Sequence, residues 1–415
     1  MSSLAAPHAA IDIINPTTLA VREALPSWQA PALADGVSLC RRLSELTPSR
    51  TDSSHFAAHW REHLPTLQTL MAEDLGLPIK STAHLRDFGT ALKPVSLTWP
   101  TPLSAHPARL PVVMVSIGLD PGLRELAALL PHWLQGRCGL LLWPMHINAT
   151  RLVSELVSLL HTIKPATVGA WLDAAAGSLL TQARLDGVSE LCAFDALWPA
   201  MSAYPPVSLA ALPWRLARFS QEWVVIEPHV TPAAVVPWLV QRRLGGAGQL
   251  GAGAQVIFVQ PAQSAAWVDA LQLALAECVF GDPLDGATDV GPLIDKKTIR
   301  RVEDQVPRAI LKRQGRLVLG GRQFRPSGLT GYFFQPTLLT EVQAHSPLVN
   351  EPIGGPILVL NTHAQLPQWL AAQQNLTTLM CVEVTTDAGG GSVLTEAAVA
   401  SNTAAVLTRE RWLVP

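Results

Sequence analysis

Charged side chains are scarce in this sequence, and neither sign dominates. Only 15% of the 415 residues are charged, and 30 basic residues face 32 acidic ones, for a formal net charge of -2. A chain so balanced lacks the basic surface by which proteins bind nucleic acid or an anionic membrane. We therefore exclude both partners, while the 48% of hydrophobic residues provides ample material for a core.

Cysteines and long apolar runs are also few. The five cysteines are odd in number and have no CxxC spacing, which argues against a disulfide framework and against a zinc site. Runs such as Cys138–Trp143 are too short to span a bilayer, and the start Met1–Leu4 lacks the charged region of a signal peptide. We expect a cytoplasmic protein without a metal ion.

The hydrophobic pattern predicts two α/β lobes. In the first half, apolar runs at 111–117 and 138–142 alternate with helical patterns at 123–134 and 149–163. A second alternation begins at 223–226, and this order of strands and helices is typical of parallel sheets with crossover helices. A length of 415 residues also exceeds the chain length at which a single hydrophobic core usually stops growing.

An ordered series of motifs resembles the aldehyde dehydrogenase superfamily. The motifs are Ile14-Asn15-Pro16, Gly281-Asp282-Pro283-Leu284, Gly291-Pro292-Leu293-Ile294, Gly320-Gly321-Arg322, Gly331-Tyr332-Phe333-Phe334-Gln335-Pro336-Thr337-Leu338 and Glu351-Pro352-Ile353-Gly354-Gly355-Pro356. Their order and spacing match the family across almost the whole chain. A single such motif would be weak, whereas the series is specific.

The resemblance places glycine where the family has its nucleophile. The family's G-Q-x-C motif corresponds to Gly248-Gln249-Leu250-Gly251, so Gly251 occupies the cysteine position. Glycine has no thiolate with which to form the thiohemiacetal that releases hydride. No Cys, Asp or Glu occurs between Pro228 and Val268, and Cys278 falls beyond the following helix.

Two further catalytic positions of the family also differ. The glutamate base of E-L-G-G-K corresponds to the stretch 216–220, and no carboxylate occurs between Asp195 and Glu222. The oxyanion-stabilising asparagine corresponds to Leu119, whose side chain cannot donate a hydrogen bond. The resemblance therefore implies that no catalytic residue of the family is intact.

The cofactor positions of the family have changed as well. Its K-P-S-E motif, which handles the adenosine ribose, corresponds to 143–146, with Trp143 and His146 in place of lysine and glutamate. Its glycine-rich pyrophosphate turn corresponds to 194–199, where we find no glycine. In E-E-I-F-G-P, the second glutamate becomes Pro352 and the phenylalanine becomes Gly354.

The resemblance implies an aldehyde-dehydrogenase-like α/β fold of two Rossmann-type three-layer lobes. We expect a cofactor-domain-like lobe at 1–217, a catalytic-domain-like lobe at 218–400 and a C-terminal strand with tail at 401–415. The oligomerisation arm and last strand should be reduced, because the connector 92–110 is brief and nine residues follow Val406. An oligomer that differs from the family tetramer would follow.

The resemblance implies that the family's catalytic and cofactor residues are lost while its structural motifs are retained. This combination favours a non-catalytic pseudoenzyme. We expect a structural or regulatory role through a protein partner, such as an active enzyme, and no cofactor. One alternative is an oxidoreductase that uses NAD or NADP with other residues of the cleft, for which the candidates are Asp120, His132, His146 and Asp195. Another alternative is a small-molecule binder that reuses the cleft without chemistry.

Three other patterns have simpler explanations. Residues 246–251 match G-x-G-x-x-G, but a predicted helix precedes them and a strand follows, so we predict a tight turn. His55, His59 and His63 share a helical face, where solvation is more common than metal binding. Trp143 and Trp198 fall at cofactor positions, so they either fill a core or plug the old cleft.

Overall fold

The computed structural model describes most of the chain and divides it into two compact units. The described residues are 11–25, 53–87, 112–119, 121–136, 138–144, 146–164, 168–170, 188–194, 214–217, 222–250, 254–311, 315–349, 351, 353–372, 378–386, 392–399 and 409–413. The first unit takes residues 1–15, 19–75 and 82–218, and the second takes 16–18, 76–81 and 219–415. Each unit is described by itself.

The first unit alternates strands and helices after an N-terminal hairpin. Its elements are β1 (Ile11–Ile14), β2 (Val21–Leu25), α1 (Ser53–Leu75), β3 (Val112–Ile117), α2 (Pro121–Leu134), β4 (Gly139–Pro144), α3 (Thr150–Ile163), β5 (Val168–Ala170), β6 (Val188–Phe194) and β7 (Trp214–Ala217). Strands β1 and β2 pair antiparallel around the Asn-Pro turn that the sequence predicts.

Apolar periodicity explains why the first unit has helices where it does. In α3 the buried residues are Leu152, Val153, Leu156, Leu159 and Leu160, which is the spacing of one helical face. Helix α2 begins at Pro121, whose ring holds φ near the helical value and whose missing N–H is not needed there. Strand β4 is buried along its whole length, as expected for a strand covered on both faces.

The five-stranded sheet of the first unit is parallel throughout, in the order β5-β4-β3-β6-β7. From β3, the chain thus adds β4 and β5 on one side and then β6 and β7 on the other. This is the strand order of a Rossmann-type domain.

The second unit is built around a larger mixed sheet. Its elements are β8 (Glu222–Ile226), α4 (Pro232–Leu244), β9 (Ala254–Val259), α5 (Ser264–Ala276), α6 (Lys296–Ile310), β10 (Arg316–Leu319), β11 (Thr337–Thr340), β12 (Ile357–Thr362), α7 (Leu366–Ala372), β13 (Thr378–Thr386), β14 (Ser392–Val399) and β15 (Arg409–Leu413). The strand order is β10-β11-β12-β9-β8-β13-β14-β15. The five strands from β11 to β13 are parallel, and the outer three pair antiparallel.

Three aromatic rings occupy the core of the second unit. Trp223 of β8, Phe258 of β9 and Trp369 of α7 are fully buried, and their ring centroids lie 5.2–5.7 Å apart in tilted or edge-to-face arrangements. Such pairs add to the stability that burial of apolar area provides. The central strands β9 and β12 are buried almost throughout, which identifies the middle of the sheet as the core.

The structure confirms the predicted α/β fold with parallel sheets. The predicted strands and helices of both alternations occur within one or two residues of the expected bounds, because strong apolar periodicity marks them. The basic stretch Lys296–Ile310 forms helix α6. The connector 92–110 lies outside the described residues. Among the described helices, none has the length and apolar character needed to cross a membrane.

Candidate functional site

The first candidate region is the carboxyl edge of the five-stranded sheet. All five strands are parallel, so their carboxyl ends share one edge. The strand order reverses between β3 and β6, and ligands of open α/β sheets bind outside the carboxyl ends at such a reversal. The ends of β3 and β6 therefore mark the candidate binding edge of the first unit.

Two of the predicted family positions at this edge are buried. Leu119 follows β3 by two residues and is 8% exposed, and Trp143 within β4 is fully buried. Asp120, Asp195 and Trp198 lie outside the described residues. Whether Trp143 fills a core or closes a cleft thus stays a prediction.

A short 3-10 turn follows β4 and fixes His146. The backbone N–H of Asn148 donates to Nδ1 of His146 at 3.2 Å, and this histidine caps the turn Ile147–Ala149. The Asn148 side chain donates to the Ile14 carbonyl at 2.9 Å, and Oγ1 of Thr150 donates to the Ile147 carbonyl at 2.6 Å. Because Nδ1 accepts a hydrogen bond, the proton of the neutral ring lies on Nε2.

The first turns of two helices, α2 and α3, suit a phosphorylated ligand. The first turns of α2 and α3 contain no acidic residue, so carboxylates within those turns do not neutralise the positive ends of the helix dipoles. In a βαβ unit these helices begin at the carboxyl edge of the sheet. A dinucleotide, which carries anionic phosphates, fits these groups chemically.

His132 lies at the wrong edge for this site. It occupies the last turn of α2, a helix that begins at the carboxyl edge and returns toward the amino edge. At 1.5 Å per residue, His132 is about 16–17 Å along the helix from Pro121. Of the four residues that the sequence offered as alternative site groups, the structure thus separates His132 from the carboxyl edge.

The second candidate region is the turn that precedes β9. Gly246, Ala247 and Gly248 have φ values of 56, 56 and 73 degrees, so the backbone is left-handed at three successive residues. A Cβ on Gly248 would lie 2.1 Å from the carbonyl oxygen of Gly355, a distance that no side chain tolerates. This confirms the predicted tight turn between α4 and β9, and Gly251 lies outside the described residues.

Arg243, at the end of α4, forms hydrogen bonds with the segment before β12 and with the first residue of β12. Its side chain is 1% exposed and donates from Nε to the Ile357 carbonyl at 2.7 Å. Its Nη2 donates to the Ile353 carbonyl at 2.7 Å and also to the Gly355 carbonyl. Burial lowers the pKa of Arg243 to about 9, while the nearby Glu222 carboxylate acts in the opposite direction. Sequence analysis missed this residue, because a basic residue in the last turn of a helix is usually solvated.

Gln249 connects the Gly291–Ile294 motif to the same turn by hydrogen bonds. Its Nε2 donates to the carbonyls of Gly246 at 3.0 Å and Pro292 at 3.4 Å, and its Oε1 accepts the N–H of Ile294 at 2.9 Å. Because β8, β9 and β12 are parallel neighbours, the segments that precede them meet at one edge of the sheet. The structure therefore brings together the glutamine motif, the Gly291–Ile294 motif and the Ile353–Pro356 motif.

Gly354 leaves room for a cationic group. A Cβ on Gly354 would lie 2.1 Å from Nη2 of Arg301 on α6, so the guanidinium occupies the space that a larger side chain would need. Burial lowers the pKa of Arg301, and the carboxylates of Asp295 and Glu351 act in the opposite direction. Pro352, the other predicted position in this motif, lies outside the described residues.

Glu222, which begins β8, and Cys278, which follows α5, are both unsuited to catalysis. Both carboxylate oxygens of Glu222 accept hydrogen bonds from Arg242, at 2.7 and 3.0 Å. Glu222 is only 2% exposed. Burial raises the pKa of the Cys278 thiol to about 11, and the negative charge of Asp289 adds to this rise. A thiolate is therefore rare at neutral pH, so Cys278 is a poor nucleophile.

On the histidine face of α1, the described side chains form an ion pair with a neighbouring helix. His63 pairs with Glu155 of α3 through Nδ1 and Oε1 at 2.8 Å. Across the described ranges, no three His, Cys, Asp or Glu side chains come together as a metal site would need. The side chain of His55 lies outside the described part.

Residues 220–378 match the model of the aldehyde dehydrogenase family. Over 114 residues the chain is 35% identical to the succinate-semialdehyde dehydrogenase (NADP(+)) of Escherichia coli strain K12, and over 135 residues it is 34% identical to the glutarate-semialdehyde dehydrogenase of Pseudomonas aeruginosa. These matches cover 28% and 32% of this chain and 23% and 27% of the relatives. The chain thus spans about a quarter of the length of the curated relatives that it matches.

Solved structures of similar fold cover nearly the whole chain. An NAD-dependent aldehyde dehydrogenase from Sinorhizobium meliloti gives a TM-score of 0.73 at 16% identity, over 91% of this chain and 79% of that one. The betaine aldehyde dehydrogenase of Staphylococcus aureus, solved with NAD+, gives a TM-score of 0.71 at 16% identity, over 89% and 78%. These comparisons confirm the aldehyde-dehydrogenase-like fold.

Two expectations from the sequence are wrong. The expectation of a non-catalytic pseudoenzyme with a protein-interaction role is contradicted, because the curated relatives are named as dehydrogenases. The expectation that no cofactor binds is contradicted by similar structures that are named for NAD dependence or solved with NAD+. The physical reason for both errors is that loss of known anchors does not exclude binding by other groups of the same scaffold.

Proposed function

We propose that this chain is an NAD(P)-dependent oxidoreductase that acts on a small aldehyde. Its fold and its family match support membership of the aldehyde dehydrogenase superfamily. The observation that carries the proposal is the parallel sheet of the first unit, in the order β5-β4-β3-β6-β7, with helices that begin at its carboxyl edge. The match of residues 220–378 to the family supports the substrate class.

The chemistry must differ from a thiol mechanism if Gly251 stands at the nucleophile position. Cys138 is fully buried, and Cys278 has a pKa raised by burial to about 11. Neither of these two cysteines therefore supplies a thiolate. We propose that the substrate reacts as its hydrate, which already carries the second oxygen of the product acid.

A dinucleotide bound at this edge would supply the acceptor for the hydride that leaves the carbon of the hydrate. The C–H bond breaks with its electron pair, one hydroxyl of the hydrate loses its proton, and a carboxylic acid forms. The proton needs an acceptor in the chain. In the sequence, Asp120 comes three residues after the end of β3 and Asp195 comes directly after β6, and we propose them for this role.

Neither of two other groups fits the role of proton acceptor. Nδ1 of His146 already accepts the Asn148 N–H, and its Nε2 carries the ring proton. Glu222 is committed to Arg242. His146 is therefore assigned to binding, and the two aspartates remain for proton transfer.

The test is a titration of the purified protein with NAD+ and NADP+, followed by turnover with a panel of small aldehydes. We expect binding of at least one dinucleotide and aldehyde-dependent formation of its reduced form. Asp120→Asn or Asp195→Asn should reduce turnover by roughly 10²- to 10⁴-fold, the usual contribution of a general base. Cys278→Ser should leave turnover unchanged, which serves as the matched control.

Two results would overturn the proposal. Absence of binding for both dinucleotides would remove the cofactor, and loss of turnover in Cys278→Ser would restore a thiol mechanism. Circular dichroism of each variant verifies that the fold is intact.

A further inference from the structure

A buried carboxyl group lies where the end of α1 meets β2 and the start of α3. Asp74 is the last residue but one of α1, and its side chain is fully buried. Arg151, in the first turn of α3, donates from Nη1 to Oδ1 of Asp74 at 3.1 Å. Among the described residues, no group forms a hydrogen bond with the buried Oδ2. The ionised carboxylate is therefore costly in this site, because one of its oxygens has neither water nor a donor.

The charged groups around Asp74 offset only part of that cost. Burial is the largest effect and raises the pKa of Asp74 to about 6. Arg22 of β2 favours the ionised form, but Arg22 is paired with Glu73, whose negative charge acts in the opposite direction. The next polar pair between α1 and α3, His63 with Glu155 at 2.8 Å, lies about three helical turns away along α1. The closed junction of α1, β2 and α3 therefore favours a protonated Asp74 up to about pH 6.

This junction can open without disrupting the five-stranded sheet. Both helices contribute an end to it, and helix ends open more readily than helix centres. Strands β1 and β2 form a two-stranded sheet of their own, which is only marginally stable without further contacts. The Asn148 side chain, just before α3, donates to the Ile14 carbonyl of β1 at 2.9 Å. Side-chain contacts between separate elements, and not a shared sheet, thus hold the junction closed.

We infer that the junction of α1, β2 and α3 is a pH-sensitive latch, closed while Asp74 carries its proton and locally open once Asp74 has lost it. Opening gives the carboxylate the hydration that the closed junction denies it. Because the closed form binds the proton more tightly than the open form, the opening constant rises with pH between about 4 and 6. The whole rise is roughly ten- to a hundred-fold, since each unit of pKa difference contributes a factor of about ten. Because α3 begins at the candidate binding edge of the first unit, the latch makes the local stability of that edge depend on pH.

Hydrogen–deuterium exchange of the full chain, measured by mass spectrometry from about pH 4 to about pH 8, tests the latch. Each exchange rate is divided by the intrinsic rate at that pH, which gives the opening constant. In the wild type, we expect the opening constant of β2 and of the last two turns of α1 to rise by roughly ten- to a hundred-fold and to level off above about pH 6. In Asp74→Asn, which cannot ionise, the opening constant should not rise with pH.

Glu62→Gln is the matched control, because it removes an exposed carboxylate from the same helix. This variant should keep the pH dependence of the wild type. A rise that persists in Asp74→Asn would overturn the latch, and so would a wild-type opening constant that stays level across the range.

The wild type by itself decides the matter if Asp74→Asn does not fold. Residues 56–64, in the first half of α1, serve as the internal reference. A rise confined to β2 and residues 70–75 supports the latch. An equal rise at residues 56–64 would mean that Asp74 is hydrated only when the unit unfolds as a whole, and it would overturn the latch.

Discussion

Asp74 of α1 is a buried acid without a full set of partners. Its side chain is fully buried, one oxygen accepts a bond from Arg151 at 3.1 Å, and Oδ2 has no hydrogen-bond partner. Burial raises the pKa of Asp74 to about 6, and the charges of Arg151 and Arg22 offset only part of that rise. The folded state thus holds the proton of this carboxyl more tightly than the unfolded chain does.

Asp74 should make the protein less stable as the pH rises. Because the folded pKa exceeds the unfolded value of 3.8, the stabilising contribution is complete below about pH 4 and is lost as the pH rises through about 6. A shift of about two units corresponds to at most about 3 kcal/mol. Asp74→Asn keeps an acceptor for Arg151 and should therefore be more stable than the wild type at pH 7–8, but not at pH 4.

Urea unfolding of wild type and Asp74→Asn from pH 4 to pH 8 measures this difference. Glu62→Gln, which removes an exposed carboxylate from the same helix, is the control for the change of charge. A constant difference between Asp74→Asn and the wild type across the range would contradict the assignment.

At the scale of elements, the left-handed turn before β9 depends on close backbone contact. Gly248 has φ of 73 degrees and lies against the Gly355 carbonyl, while Arg243 binds the carbonyls of Ile353, Gly355 and Ile357. The turn and the segment before β12 thus form one packed structure. A side chain inserted between them must displace backbone.

Gly248→Ala should destabilise the second unit by roughly 2–4 kcal/mol, because a left-handed alanine and a steric clash both contribute. Gly328 has φ of 77 degrees but open space around its Cβ position, so Gly328→Ala should cost only about 1 kcal/mol. Gly286, with neither strain nor neighbours, should tolerate alanine. Chemical unfolding of the three variants gives the comparison, and equal losses for Gly248→Ala and Gly328→Ala would show that the contact with Gly355 is unimportant.

At the scale of the whole molecule, cofactor binding should appear as added thermal stability. A ligand that binds only the folded protein at 100 times its Kd adds about 2.7 kcal/mol. For a unit of about 200 residues this corresponds to a rise in Tm of roughly 5–10 °C. We expect NAD+ or NADP+ to produce this rise. The absence of a rise with either dinucleotide would contradict the proposed cofactor use.

The succession of strands and helices could be predicted from the sequence, because local apolar periodicity determines it. The helices at 123–134 and 149–163 and the strands at 138–142 and 255–259 were predicted close to their observed bounds. The tight turn at 246–251 was also predictable, since a helix precedes it and a strand follows. The family motifs extended this to the fold class.

Function was harder to predict, because the motifs indicate which groups are absent and not which groups replace them. The predicted correspondence of Gly251, Leu119, Trp143, Pro352 and Gly354 to site positions of the family led to the expectation of a protein without cofactor or catalysis. The names of the relatives and of the similar structures contradict that expectation. A missing side chain excludes one chemical role and leaves the rest of the scaffold available.

The sequence by itself determined the α/β class and the extent of the regular elements, because these depend on neighbours along the chain. Only the tertiary structure decided the strand order β5-β4-β3-β6-β7, the burial of Asp74 and the bonds of Arg243 to three carbonyls more than a hundred residues away. Those features arise from contacts between distant segments, and no local pattern specifies which distant groups will meet.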